Sequence, residues 1–139
     1  NGINFRLAQL EQGENMIDFK NGSFVKLREV SVEEGTAMVT DLLIDNEQIF
    51  SAFKGIRDYV LFTNKRIIAI NVQGLTGKKK DFSSLPYSKI QAFSLESAGV
   101  FDLDAELELW FSGLGKVRFE FDSKFDVKAF SRFIGGYVL

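Results

Sequence analysis

The chain contains no cysteine and no histidine among its 139 residues. Without cysteine it can form neither a disulfide framework nor a cysteine-ligated zinc site. Without histidine it lacks the usual general base near neutral pH and the commonest metal ligand. Ser-His-Asp and Cys-His nucleophile arrangements are therefore excluded within one chain. The metal site that remains possible is one in which oxygen ligands hold a hard cation. We expect a protein that binds rather than catalyses and that carries no cofactor.

A strong charge of either sign is also missing, because the formal net charge is -2 and the isoelectric point is about 5.2. Nothing in this balance attracts nucleic acid or an anionic membrane to the chain as a whole. No apolar run approaches the roughly 20 residues of a membrane span, and the first residues do not resemble a signal sequence. We therefore expect a cytoplasmic protein without a nucleic-acid partner, whose contact with membranes is at most peripheral.

The single proline stands against 15 phenylalanines, which favours a β-rich core packed with aromatic side chains. The length fits one domain. Seven segments have the apolar or alternating pattern of strands and are bounded by turn residues. These predicted strands cover residues 47–54, 58–63, 66–73, 79–85, 89–96, 103–112 and 116–122. Two of them, 58–63 and 66–73, are apolar on both faces, which predicts an antiparallel sandwich or partly open barrel.

Two helices are predicted beside these strands. A capping box at Ser31 and Glu34 predicts a short N-terminal helix over 32–44, in which Gly35 costs about 1 kcal/mol. Aromatic residues at three- and four-residue spacing predict a C-terminal helix over 125–138 that covers an open side of the sheet. In the lead-in, residues 16–30, the pair Asn21-Gly22 between β-like runs fits a hairpin and a loose segment equally well.

Several stretches resemble the bacterial pleckstrin-homology (PH) domain family. They are 56–68 (IRDYVLFTNKRII), 72–79 (VQGLTGKK), 85–87 (LPY) and 96–107 (ESAGVFDLDAEL), and the resemblance covers residues 31–139. It implies a seven-stranded PH-like barrel and a cyclic homo-oligomer, for example a pentamer, with a hydrophilic surface where strands of adjacent protomers meet. It implies no enzyme activity. Similar proteins often begin near Met16, so we expect residues 1–15 to be a tail or upstream segment outside a single domain over 16–139.

Strand 103–112 carries the main candidate site. Asp102, Asp104, Glu106 and Glu108 share one face, where Trp110 joins them. If Ser112 faces Lys116 across the hairpin, Trp110 faces Arg118 and Leu109 faces Phe119. A calcium site needs oxygens wrapped around one point, which a flat strand does not supply. The face is therefore either a protein interface, in which a basic partner relieves the like charges, or a solvated sheet surface.

A second candidate is the basic turn Lys78-Lys79-Lys80 together with Lys65 and Arg66, which would bind an anion or a lipid head group. The alternative is a turn of solubilising lysines, each of which contributes only about 1 kcal/mol near an anionic surface. We expect a non-enzymatic PH-like protein-interaction and assembly module that forms a homo-oligomeric ring and binds a protein partner that the sequence does not identify. The alternative function is peripheral binding of lipid or anionic head groups.

Overall fold

The computed structural model describes residues 22–97, 104–122 and 126–139. The expectations about residues 1–15, residues 16–21 of the lead-in, Asp102 and the first residue of the C-terminal helix lie outside these ranges. The described strands are β1 (Gly22–Val30), β2 (Ile49–Lys54), β3 (Asp58–Thr63), β4 (Arg66–Gln73), β5 (Lys79–Pro86), β6 (Ile90–Glu96), β7 (Ala105–Phe111) and β8 (Gly115–Phe121). The helices are α1 (Val32–Val39), a 3-10 turn (Tyr87–Lys89) and α2 (Val127–Val138).

All eight described strands belong to one open sheet, in the order β5-β4-β3-β2-β1-β8-β7-β6. The mainly β fold with a C-terminal helix is confirmed, but the strand count of seven and the purely antiparallel arrangement are wrong. The additional strand β1 runs antiparallel to β2 and parallel to β8, and so joins the two halves of the sheet. Its buried residues Phe24 and Leu27 are three positions apart, because a bulge at Lys26 (φ 55°) interrupts the alternation.

Strands β3 and β4 are buried on both faces, as predicted. On one face Val60, Phe62 and Ile67 belong to the main core, which also contains the inward side chains of β7 and β8. On the other face Leu61 and Ile68 form a second, smaller core with Val39 of α1. The doubly apolar sequence of these strands therefore reflects two cores on opposite sides of one sheet.

Helix α1 begins at the predicted cap, where the Ser31 hydroxyl accepts a hydrogen bond from the Glu34 amide at 3.1 Å. Its glycine has a packing reason, because a Cβ at Gly35 would lie 2.6 Å from the Cβ of Ala52. The helix ends at Val39 and not at residue 44, because the chain then turns: the amides of residues 42 and 43 both bond to the Val39 carbonyl.

Helix α2 begins at Asp126, whose side chain accepts from the Ala129 amide at 3.1 Å. Phe130 and Ile134 are buried in the main core, and Tyr137 stacks on Tyr87 with ring centroids 5.1 Å apart. The predicted aromatic face is confirmed, and the helix lies against β6 and the 3-10 turn. No helix among the described residues is long and apolar enough to cross a membrane.

Candidate binding surfaces

The β7–β8 hairpin has a different register from the predicted one. Trp110 lies opposite Lys116, and Arg118 lies opposite Glu108, whereas the sequence predicted Trp110 opposite Arg118. The predicted pairings of Ser112 with Lys116 and of Leu109 with Phe119 are wrong for the same reason. The shift is an even number of residues, and because side chains alternate with a period of two, every residue keeps its predicted face.

The turn itself explains this register. Residues Phe111 and Gly115 pair directly, so the connection consists of the three residues 112–114. Leu114 within it is buried at 4% exposure, so the turn brings an apolar side chain into the core. Gly113 and Gly115 accommodate this with φ of 78° and 100°, a region that glycine enters without a steric penalty.

The outer face of β6, β7 and β8, which we call the acidic face, has a surplus of negative charge. Its charged residues are the carboxylates of Glu96, Asp104, Glu106, Glu108 and Glu120 and the cations of Lys116 and Arg118. Among these described residues, five carboxylates against two cations give a surplus of three negative charges. The pairing places Glu106 between Glu96 and Glu120 as direct cross-strand neighbours, an arrangement that destabilises a sheet unless a cation intervenes.

The two cations of the acidic face supply part of this compensation. The Arg118 guanidinium donates two hydrogen bonds to the Glu106 carboxylate and one, at 3.1 Å, to Glu120. Lys116 pairs with Glu108 at 2.9 Å. The hydrogen bonds to Glu106 raise the pKa of Arg118. The predicted site residues Glu106 and Arg118 are therefore joined by hydrogen bonds, and the charge of Glu108 acts on the same guanidinium.

At Glu120 the neighbouring cation does not fully offset burial and the nearby negative charges. Burial raises the pKa of this carboxyl, and the negative charge of Asp104, to which it is hydrogen-bonded, raises it further. The Arg118 cation lowers it, but the net shift is upward. The carboxyl of Glu120 therefore lies in an environment where an additional positive charge would be stabilised.

Trp110 lies on the acidic face, as predicted, with 36% of its surface exposed. Its cross-strand neighbours are Ala92 of β6 and Lys116 of β8, so a small residue flanks it on one side. An exposed aromatic side chain among charged groups is typical of an interface centre, where Trp and Arg are enriched.

The predicted basic site does not form as one cluster. Lys65 and Arg66 lie at the start of β4, whereas Lys78, Lys79 and Lys80 follow its end. Strand β4 covers Arg66–Gln73, and at about 3.4 Å per residue its two ends are about 24 Å apart.

Arg66 has a structural role. Its guanidinium pairs with the Glu47 carboxylate through two hydrogen bonds of 2.9 Å, and it also donates to the Leu42 carbonyl and the Ser84 hydroxyl. The Glu47 side chain is 0% exposed. Burial alone would raise the pKa of Glu47, but hydrogen bonds from Arg66 and Thr63 outweigh it and the pKa is lowered. This pair fixes the segment after α1 to the β3–β4 turn.

Lys80 instead lines a shallow cleft with a volume of about 290 Å³. Two further cations, Lys54 and Arg57, line the same cleft, and Lys54 lies 5.5 Å above the Tyr59 ring. Lys54 and Arg57 were not among the residues predicted for the basic site. The remaining lining residues are Met38, Ile56, Asp58, Tyr59 and Val72.

No three acidic side chains converge as metal ligands would, within the ranges that the structure covers. The described part of the molecule is thus a mainly β domain in which a mixed open sheet is closed by a C-terminal helix. This combination defines a PH-like domain.

Comparison with known proteins agrees with that class. Residues 18–138 match the bacterial PH domain family, and the chain belongs to this family. It is 45% identical over 97 residues to the uncharacterised protein YjqA of Bacillus subtilis (strain 168), an alignment that covers 70% of this chain and 75% of YjqA.

The chain is also similar to solved structures, and two of them come from Shewanella species. A protein with a pleckstrin-homology domain from Shewanella loihica PV-4 is 40% identical, with a TM-score of 0.71 over 83% of this chain and 99% of that one. A pleckstrin homology domain from Shewanella amazonensis SB2B is 36% identical, with a TM-score of 0.61 over 94% of this chain and 98% of that one.

Proposed function

We propose that this domain is a non-enzymatic protein-interaction and assembly module, and that copies of it form a homo-oligomeric ring through the acidic face. The observation that carries the proposal is the acidic face itself, where Trp110 is exposed among a surplus of three negative charges. The raised pKa of Glu120 supports it, because burial and the negative charge of Asp104 outweigh the effect of the Arg118 cation on that carboxyl.

The partner surface that fits is the exposed side of α2 in a second copy. Helix α2 contains Lys128 and Arg132 and no acidic residue. These two cations are exposed and four residues apart, so they lie on one side of the helix. A helix laid on a sheet face is a standard packing of two elements, and here the charges of the two surfaces are opposite.

This contact joins two different surfaces of the same chain, so it is head-to-tail. Head-to-tail contacts close into a ring when the rotation between copies is a simple fraction of a turn. Each copy in such a ring contributes one acidic face and one α2, and none of these surfaces stays unpartnered. The ring is therefore the assembly that compensates the acidic face in every copy.

Charge reversal tests the proposal. A variant with Glu96→Lys and Glu108→Lys should lose the oligomer in light scattering, and so should a second variant with Lys128→Glu and Arg132→Glu. Each variant keeps one intact surface, and the two reversed surfaces are again opposite in charge, so mixing the two variants should restore an oligomer that neither forms alone.

The matched control is Glu29→Lys with Glu33→Lys, which makes the same change in net charge at exposed positions of β1 and α1. It should assemble like the wild type. If this control dissociates as well, net charge and not the acidic face governs assembly. If neither reversed variant changes the molar mass while both stay folded, the proposed contact is wrong.

A further inference from the structure

The sheet has two outer edges, and the sequence protects them to different degrees. Strands β5 and β6 stand at the two ends of the strand order, so among the described residues each is paired on one side only. An unpaired edge offers a row of backbone donors and acceptors to any extended chain, and natural proteins guard such edges with lysines, other charges and proline. Strand β5 has this protection, because it begins with Lys79 and Lys80 and ends at Pro86.

Strand β6 lacks this protection over most of its length. From Ile90 to Leu95 its sequence, IQAFSL, contains no charged residue and no proline, and the first charge is that of Glu96. A bulge between Ile90 and Ala92 interrupts the ladder to β7, but the register is regular from Ala92 onwards. Within the part of the chain that the structure describes, the second half of β6 is therefore an extended, uncharged edge that a further strand can join.

The inner face of β6 favours apolar side chains in such a strand. Phe93 and Leu95 are half-buried at the margin of the main core, as are Phe133 and Val138 of α2. Neighbouring side chains on one face of a sheet lie in contact across the strands. Apolar residues of an added strand would therefore lie beside Phe93 and Leu95 and extend the cover of the main core.

The outer face of β6 favours basic side chains. It belongs to the acidic face, since Ser94 pairs with Glu108 and Glu96 is the last residue of the strand. Ala92 and Ser94 are small and exposed, so a long side chain in an added strand can extend over them toward Glu108. Because the acidic face has a surplus of three negative charges, lysine or arginine is the complementary residue at these outer positions.

We propose that the outer edge of β6 binds an extended segment of a partner protein as an additional strand, and that apolar residues alternate with basic residues in this segment. In this mode of recognition main-chain hydrogen bonds give affinity and the alternating side chains give specificity. The other free edge of this chain does not have the required pattern, because β5 (KKDFSSLP) places two lysines in adjacent positions and follows them with an aspartate. The pattern therefore favours a different protein over the β5 edge of a second copy.

This inference goes beyond the proposed ring. The ring contact uses the outward side chains of β6, β7 and β8, whereas strand addition uses the backbone edge of β6 that faces away from β7. Both contacts draw on the charge of the acidic face, but strand addition to one copy does not require the ring. The Lys128→Glu, Arg132→Glu variant keeps β6 and the acidic face unchanged, so it separates the two proposals.

Peptide binding followed by fluorescence anisotropy tests the inference. The probe is a labelled peptide of seven residues, the length of β6, in which lysine and valine alternate. It should bind the full chain, and a peptide with the same residues in two blocks should bind at least about tenfold more weakly, because it cannot present one apolar and one basic face. The alternating peptide with methylated backbone amides should also lose at least about tenfold, since it cannot donate ladder hydrogen bonds.

A matched pair of variants locates the binding site. Ala92→Lys places a cation on the outer face of the edge, beside the basic residues of the peptide, and should weaken binding by about fivefold. Ala37→Lys makes the same change at an exposed position of α1 and should bind like the wild type. Addition of the peptide should slow hydrogen exchange of amides in β6 and leave exchange in β5 unchanged.

Four results would overturn the inference. The first is equal binding of the alternating and block peptides, because charge alone would then explain binding. The second is unchanged binding of the methylated peptide, and the third is an equal loss in Ala92→Lys and Ala37→Lys. The fourth is binding to the Lys128→Glu, Arg132→Glu variant but not to the wild type, because another copy would then occupy the edge. Alternation-dependent binding to both chains would support strand addition even if the proposed ring were wrong.

Discussion

Replacing Arg66 by Met should be among the most damaging single changes on the surface of this domain. The substitution removes both hydrogen bonds to Glu47 and leaves a carboxylate whose side chain is 0% exposed without its cation. Removing one partner of such a buried pair costs about 3–5 kcal/mol. Total stabilities of domains are about 5–15 kcal/mol, so the variant should lose a large share of its stability.

Urea denaturation followed by the fluorescence of the single tryptophan, Trp110, measures this cost. Arg28→Met, at an exposed position of β1, is the matched control and should change the free energy of unfolding by less than about 0.5 kcal/mol. Adding Glu47→Gln to Arg66→Met should recover part of the loss, because no buried charge remains. A loss below about 1 kcal/mol for Arg66→Met would refute the reasoning, since that is the range of exposed pairs.

The same pair gives a pH signature. In the wild type the pKa of Glu47 is lowered from its ordinary value of 4.5. The carboxylate therefore contributes its full stabilisation above pH 4.5, and this contribution is lost as the pH falls through the lowered pKa. In Arg66→Met, burial without the cation should raise the pKa of Glu47. The variant should then gain stability as the pH falls toward 4.5, opposite in sign to the wild-type contribution.

Two further predictions concern Gly35 and Glu120. Gly35→Ala should destabilise the domain by about 1–3 kcal/mol despite the better helix propensity of alanine, because the new Cβ would lie 2.6 Å from that of Ala52. The control Gly136→Ala has open space around the new Cβ. In the same denaturation assay it should be neutral or stabilising by up to about 1 kcal/mol. The pKa of Glu120 is raised, so its contribution to stability is present below the ordinary pKa of 4.5 and is lost as the pH rises through the raised pKa. Glu120→Gln should remove this decline in the free energy of unfolding from denaturation curves recorded at a series of pH values. A decline that is unchanged in the variant would contradict the prediction.

Much of the sheet could be predicted from local pattern. The bounds of β3 and β4 agree with the prediction residue for residue, because both strands are continuous apolar runs between turn residues. The outward face of β7 was also predicted correctly, since alternation alone decides which residues share a face. Helix α2 was recognised because its aromatic residues follow helical spacing.

The errors arose where a single residue changes the periodicity. Lys26 adopts a positive φ and breaks the alternation of β1. The β-like run 24–30 therefore fitted both a hairpin and a loose segment, and it was not predicted to join the halves of the sheet. Leu114 is buried within a turn, and that contact sets a register that the glycines alone left open. Neither the positive φ of Lys26 nor the burial of Leu114 can be recognised from the spacing of residues in the sequence.

The candidate surfaces were predictable to different degrees. Glu106, Glu108 and Trp110 are close in sequence, so their common face followed from the strand pattern. The combination of Arg57 with Lys80 depends on which hairpins are adjacent, and that is a property of the sheet order. The involvement of Arg66 with Glu47 was missed because 19 residues separate the two partners in sequence.

The molar mass of the wild-type chain in solution tests the central claim of assembly most directly. One copy has a mass of 15.7 kDa. Light scattering across a range of micromolar concentrations should give a discrete multiple of that mass that does not grow with concentration, as a closed ring requires. A constant mass of one copy across the same range would contradict the account.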